Sequence, residues 1–301
     1  MKLTARVRLP LLPALLAALF LLPACVTADR ATPAPQDHLA CRDVEGADEV
    51  VSAGTVVLLG EMHGTAESPG VVFDLACDAF ARDLSVTVGL EILMAEQARV
   101  DAYMDSAGTA EDRERLLSGP FWQDEYQDGR RSVAKLALIE ELRQARSHGE
   151  QVHVVLIDRP HRPEGPKRDA VMADRIEEVI EARPDDFVVV LTGNIHNRIL
   201  EGTSWDPDYQ PMGALLKDSL EGSRVIALNV SHPGGTAWIC PTGDPASCHA
   251  REIPAMGPAT SGPEIFLSDD TAEEERAYDG YYGVSGLTAS PPAVERLRPE
   301  G

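Results

Sequence analysis

The chain has 301 residues, with 27 Lys and Arg against 49 Asp and Glu, for a formal charge of −22. At 44% hydrophobic and 25% charged residues it reads as globular, with one large domain expected at this length. The acid excess excludes a nucleic-acid binder, which presents basic stripes to phosphates, and it equally excludes a polybasic membrane-surface protein.

Taken in chain order, the first segment lies outside the fold. Residues 1–8 carry Lys2, Arg6 and Arg8, and residues 9–22 are an apolar run broken by Pro10 and Pro13. That run is short of the ~20 residues of a membrane span and has the layout of an export signal. It ends in Leu22-Pro23-Ala24-Cys25, which resembles the bacterial lipobox, whose cysteine is lipidated and becomes the new N-terminus. The expected organisation is a lipoprotein signal peptide over 1–24, a palmitate-type anchor on Cys25 with a flexible tether over 25–45, and a single domain over 46–301. Val26 in place of Asp after the cysteine implies outer-membrane sorting, with the domain on the periplasmic side of the cell envelope. Export also implies oxidants, so Cys41, Cys77, Cys240 and Cys248 are expected as structural disulfides. Cys240 and Cys248 bracket the turn-rich stretch Pro-Thr-Gly-Asp-Pro-Ala-Ser and are paired with each other, leaving Cys41 with Cys77.

The body alternates between two periodicities. Short apolar runs at 55–59, 86–92, 151–157, 187–191 and 224–230 predict strands. Amphipathic stretches at 70–83, 94–106, 110–118, 132–147, 167–182 and about 212–220 predict helices. Val-, Leu- and Ile-rich strands separated by helices define an α/β fold with a mostly parallel central sheet flanked by helices. Residues 231–301, rich in Gly and Pro, are expected to add C-terminal antiparallel edge strands around 237–239 and 264–267.

In open α/β sheets, ligands bind beyond the carboxyl ends of the strands. The first strand runs into Gly60-Glu61-Met62-His63-Gly64, and the second ends in Gly89-Leu90-Glu91. The third ends in Asp158-Arg159-Pro160-His161, and the fourth in Gly193-Asn194-Ile195-His196. If these strands are parallel neighbours, Glu61, His63, Glu91 and His196 meet at one rim, with Asp158 and Asn194 beside them. Imidazoles beside carboxylates can deprotonate water, and the same donors can hold a divalent metal with an open position. A lone His63 in a loop or a solvent-facing Glu91 would be unremarkable; their convergence is what points to chemistry. Glu67 and Arg130 complete the candidate substrate-binding set with Asp158 and Asn194. Carboxylates crowded at such a rim would repel one another, so neutralising Glu91 is expected to leave the fold intact or firmer. The chain has no G-x-S-x-G elbow, P-loop, G-x-G-x-x-G or H-E-x-x-H.

The ordered motifs LLGEMHGTAESP, GLEI, PKRDAVMADRI and LTGNIHNR resemble a superfamily that joins the haem-uptake lipoprotein ChaN, the erythromycin esterases and the Tiki/TraB metalloproteases. The resemblance spans about residues 54–230. It implies that Glu61, His63, Glu91 and His196 form the active centre. Gly129-Arg130 after PFWQDEYQD is similar to an arginine-bearing segment of the esterase-like members, and AYDG…LTASPPA to their closing segment. The first motif continues Gly64-Thr65-Ala66-Glu67 where ChaN-like chains have Asp-Asn and further histidines, and no tyrosine here matches a haem ligand. The resulting expectation is a lipid-anchored hydrolase of ester or amide substrates. His63 would be its general base, His196 its oxyanion or leaving-group partner, and a divalent metal an optional aid. The alternative is a ChaN-like carrier of haem or an iron complex. Either way the partner is a small molecule, and the membrane is reached only through the N-terminal lipid.

Overall fold

The computed structural model describes residues 39, 41–160, 167–220, 224–268 and 276–294. The signal segment, Cys25 and His161 lie outside the described residues. The predicted apolar runs form β1 (Thr55–Glu61), β2 (Val86–Leu93), β3 (Val152–Asp158), β4 (Phe187–Gly193) and β5 (Arg224–Ser231). The helices are α1 (Ala47–Val50), α2 (Glu67–Phe80), α3 (Gln97–Met104), α4 (Ala110–Leu117), α5 (Val133–Ser147), α6 (Arg168–Ala182) and α7 (Met212–Ser219). None of these helices is long and apolar enough to cross a membrane. Two further strands, β6 (Gly235–Ile239) and β7 (His249–Ile253), form a separate antiparallel hairpin. The last two, β8 (Glu264–Leu267) and β9 (Gly280–Gly283), extend the main sheet, whose order is β3-β2-β4-β1-β5-β9-β8.

The expected antiparallel strands near the C-terminus are present at 235–239 and 264–267. Within the main sheet, β8 is the antiparallel edge, against β9, while β9, which the sequence did not single out, pairs parallel with β5. The four residues of β9, Gly-Tyr-Tyr-Gly, carry no apolar alternation, so its role as a sheet strand comes from its neighbours and not from its own pattern.

Strand alternation divides the core in two. Val57 and Leu59 of β1, Val88 and Leu90 of β2, and Val189 and Leu191 of β4 pack in one cluster with α2, α3 and α5. Val56, Leu58, Val188 and Val190 face the other way, onto Met172 and Ile176 of α6 and Met212 and Leu216 of α7. Both faces are apolar because both are covered, which is why the strands read as continuous hydrophobic runs. The register places Gly60 opposite Thr192 and Glu61 opposite Gly193, so the carboxyl ends of β1 and β4 finish level.

Both expected disulfides are formed, Cys41–Cys77 and Cys240–Cys248. Arg42 also donates twice to Asp74 of α2, at 3.1 and 2.6 Å. The folded unit therefore starts at Leu39, ahead of the expected boundary at 46.

Candidate active site

The strand order brings the carboxyl ends of β3, β2, β4 and β1 side by side, and the predicted residues follow. Glu61 has the parity of Val57 and Leu59, so its side chain leans toward α5; Glu91 has the opposite parity to Val88 and Leu90 and leans toward α6. His63, two residues past Glu61, lies between the two carboxylates. Its Nδ1 is 2.9 Å from Glu61 Oε1 and its Nε2 is 3.3 Å from Glu91 Oε2. A carboxylate can only accept, so both ring nitrogens are donors and the ring is an imidazolium. Burial would lower its pKa, but Glu91 and Glu61 more than offset that and raise it to about 9.

Each carboxylate has a second cation behind it. Lys135, on the first turn of α5, places Nζ 2.9 Å from Glu61 Oε1, and both side chains are almost wholly buried. Burial pushes the Glu61 pKa up, while Lys135 and His63 pull it below the ordinary range. Glu91 Oε2 accepts the backbone N–H of Gly193 at 2.7 Å, and its Oε1 accepts Arg168 Nη2 at 2.5 Å. Against the cost of burial, His63 and Arg168 hold its pKa far below the usual carboxylate value. Gly193 has to be glycine: a Cβ there would sit 2.8 Å from His63 Nε2.

Arg168 and Arg130 complete the frame. Arg168 Nε donates to Asp158 Oδ1 at 2.6 Å and its Nη1 to His196 Nε2 at 2.9 Å. Arginine cannot accept, so His196 Nε2 is the acceptor and the ring proton sits on Nδ1, donated to Asp169 Oδ1 at 2.8 Å. Tyr209 closes this arm by donating to Asp169 Oδ2 at 2.9 Å. Arg130 donates to Asp158 Oδ2 at 3.0 Å and to Asp128 Oδ2 at 2.6 Å, with a longer 3.4 Å contact to Glu91 Oε1. The segment carrying Arg130 is pressed onto the first motif. A Cβ on Gly129 (φ +90) would lie 2.7 Å from the backbone nitrogen of Gly64.

Glu61, His63, Glu91, Asp158, His196 and Arg130 are thus in one network, as the sequence predicts. Glu67 is not. Its Oε2 accepts the backbone N–H of Thr288 at 2.8 Å, so this first residue of α2 fastens the closing segment instead of facing a substrate. Asn194 reaches the same rim but contacts Met256 Sδ at 3.6 Å and none of the carboxylates. Sequence reasoning did not single out Lys135, Arg168, Asp169, Asp128 or Tyr209. Arg168 and Asp169 are the first residues of the RDAVMA motif. Lys135 falls on the same helical stripe as Leu138, Ile139 and Leu142, where a charge is out of place unless it has a buried partner.

A metal ion at Glu61, His63, Glu91 and His196 does not fit this arrangement. Their oxygens and nitrogens point at one another, Lys135, Arg130 and Arg168 already neutralise the carboxylates, and no group of His, Cys, Asp or Glu among the described residues is set to hold a metal. Haem meets a similar obstacle, because each ring nitrogen of His63 and His196 is already in a polar contact.

No family model matches the chain, and no curated protein matches it. Solved structures do. A mutant of the erythromycin esterase EreC in its open conformation aligns over 80% of this chain and 92% of that one, at TM-score 0.57 and 15% identity. A succinoglycan biosynthesis protein aligns over 81% and 90%, at TM-score 0.56 and 13% identity. The ChaN of Campylobacter jejuni with cofacial haem is similar at TM-score 0.37, with 14% identity over 70% of this chain and 91% of that one. The chain therefore has the fold of the erythromycin-esterase-like proteins, as the motifs implied.

Proposed function

We propose that this protein is a hydrolase of ester or amide bonds, held in the bacterial envelope by a lipid on Cys25. The observation that carries the reading is the imidazole of His63 clamped between Glu61 and Glu91 at the carboxyl rim, with two guanidiniums alongside. In its deprotonated fraction, His63 takes a proton from water at Nε2 while the water oxygen attacks the acyl carbon. The imidazolium then re-forms between two carboxylates, the place where its charge is best stabilised, and returns the proton to the departing oxygen or nitrogen. Buried Glu61 Oε2 has no protein partner, an oxygen that a bound water would satisfy. His196 is neutral with its Nε2 lone pair occupied. In this reading it orients Arg168, and the guanidinium, not the imidazole, faces the developing oxyanion.

The haem-carrier reading has less support, since His63 is mainly an imidazolium, which has no lone pair for iron, and Nε2 of His196 is taken by Arg168. Turnover of a panel of nitrophenyl esters and anilides by the wild type and by His63→Ala tests the proposal. Turnover lost in the variant supports it, and a panel untouched by the wild type, or hydrolysed equally by both, overturns it.

A further inference from the structure

Beside the rim lies a cavity of about 320 Å³, lined by Arg130, Arg131, Arg159, Arg168, Asp158 and Asp124 together with Leu93 and Pro160. Four arginines lining one small space stand out in a chain of charge −22. The carboxylates that hold them lie deeper: Asp158 and Glu91 are 1% and 2% exposed, against 21% and 23% for Arg130 and Arg168. A ligand in the cavity therefore meets Arg130 and Arg168 before Asp158 and Glu91, while Asp124, 45% exposed beside the buried Arg131, is the one carboxylate of the lining that stands at the mouth. The cavity sits at the helix start as well, because Arg168 is the first residue of the fifteen-residue helix α6, whose leading N–H groups add a partial positive charge.

We infer that this cavity is a subsite for an anionic oxygen group of the substrate, a carboxylate or a phosphate. The planar forks of arginine match both, and a space of this size admits the anionic head with several more atoms attached. Arg130 and Arg168 touch both the cavity and Glu91, so a substrate anchored there carries its scissile bond to His63. Arg131 is a fixed wall, bonded to the carbonyls of Phe121 and Tyr126 and to Asp128 and Asp124. The inference deepens the hydrolase reading by giving it a substrate class, esters or amides whose acyl chain ends in a negative charge.

The test uses the full chain and two readouts that fail separately. Calorimetric titration with succinate and with inorganic phosphate, at ionic strength matched with sodium chloride, should show saturable binding that weakens about tenfold in Arg130→Gln and less in Arg130→Lys. Succinate binding alone identifies a carboxylate site and phosphate binding alone a phosphate site. Binding of neither, or displacement of both by chloride, overturns the inference. In turnover, nitrophenyl hemisuccinate should show a KM about tenfold below that of nitrophenyl butyrate. Arg159→Gln should raise the hemisuccinate KM by a larger factor than the butyrate KM. Anion binding without hydrolysis of either ester sinks the hydrolase reading and spares the subsite. Equal KM values with normal turnover do the reverse.

Discussion

The charge state of His63 governs what the site can do at a given pH. With a pKa of about 9, only about one enzyme in a hundred holds the neutral ring at pH 7. If the neutral ring is the base, kcat/KM should climb about tenfold per unit from pH 6 to 8 and level off near 9. A rate that instead falls through pH 9 would assign His63 as the acid. The same shift is a stability statement. A histidine whose folded pKa lies above its unfolded value near 6.5 stabilises the fold fully below 6.5, and that stabilisation is lost as the pH rises through 9. The loss is on the order of 3 kcal/mol, so thermal melts between pH 6 and 10 should fall steeply for the wild type and more gently for His63→Gln. Glu91 requires a reversal of the expectation drawn from crowded carboxylates. It accepts from Gly193, Arg168 and Arg130 and faces His63, so it is surrounded by donors and not by like charges. Glu91→Gln should cost stability, about 3 kcal/mol or more, because it strands buried cations. A melting temperature equal to or above that of the wild type would refute this account.

At the scale of elements, the site depends on pieces that touch no substrate. The β6–β7 hairpin braces both motif loops. The Trp238 backbone N–H bonds Gly64 O at 2.8 Å, and its indole N–H bonds Gln127 O at 3.0 Å, two residues before Gly129. Tyr126 O–H reaches Thr242 O at 3.0 Å, inside the loop closed by Cys240–Cys248. Opening that short loop in Cys240→Ser/Cys248→Ser should cost about 2 kcal/mol through chain entropy. It should also lower kcat/KM, because the Arg130 segment loses its brace. An unchanged kcat/KM would mean that the hairpin is only scaffolding. Helix α5 contributes through Lys135. Ser132 caps the helix by accepting the Lys135 N–H at 3.2 Å, which positions the ammonium against Glu61. Lys135→Met removes one member of a buried pair and should destabilise the domain by about 3–5 kcal/mol. If its melting curve matches the wild type, the pair is not what holds Glu61 in place.

Over the whole molecule, the candidate active centre is a product of topology. Glu61 and His63 come from β1, Glu91 from β2 and His196 from β4, so the centre exists only when those strands are neighbours. Losses in His63→Ala and His196→Ala should then be far from additive, the double variant being scarcely slower than the worse single one. Additive losses would show that the two histidines act independently. For anchoring, Cys25→Ala should release the protein from the membrane fraction, since each acyl CH₂ buried is worth ~0.8 kcal/mol. A wild type that is already soluble, with its N-terminus elsewhere, would remove the envelope reading.

The α/β architecture was legible in the chain because covered strands are apolar on both faces, and runs such as Thr55–Glu61 and Phe187–Gly193 show it without help from context. The candidate residues were legible for a related reason: polar side chains that follow such runs directly stand at the strand ends, where an α/β sheet opens to ligands. Strand β9 was not legible, because a four-residue segment is held by what it pairs with. Nor could sequence separate Glu67, which ties down the closing segment, from the carboxylates of the site. Lys135 and Arg168 were hidden for the same reason: their partners are distant in sequence, and only the folded sheet brings Glu61 and Glu91 to them. That convergence turned a rim expected to be anionic, and open to a metal, into a network of alternating charges. Sequence determines which groups reach the rim, whereas their protonation and their worth as catalysts depend on Coulomb energies over a few ångströms, and packing alone fixes those distances.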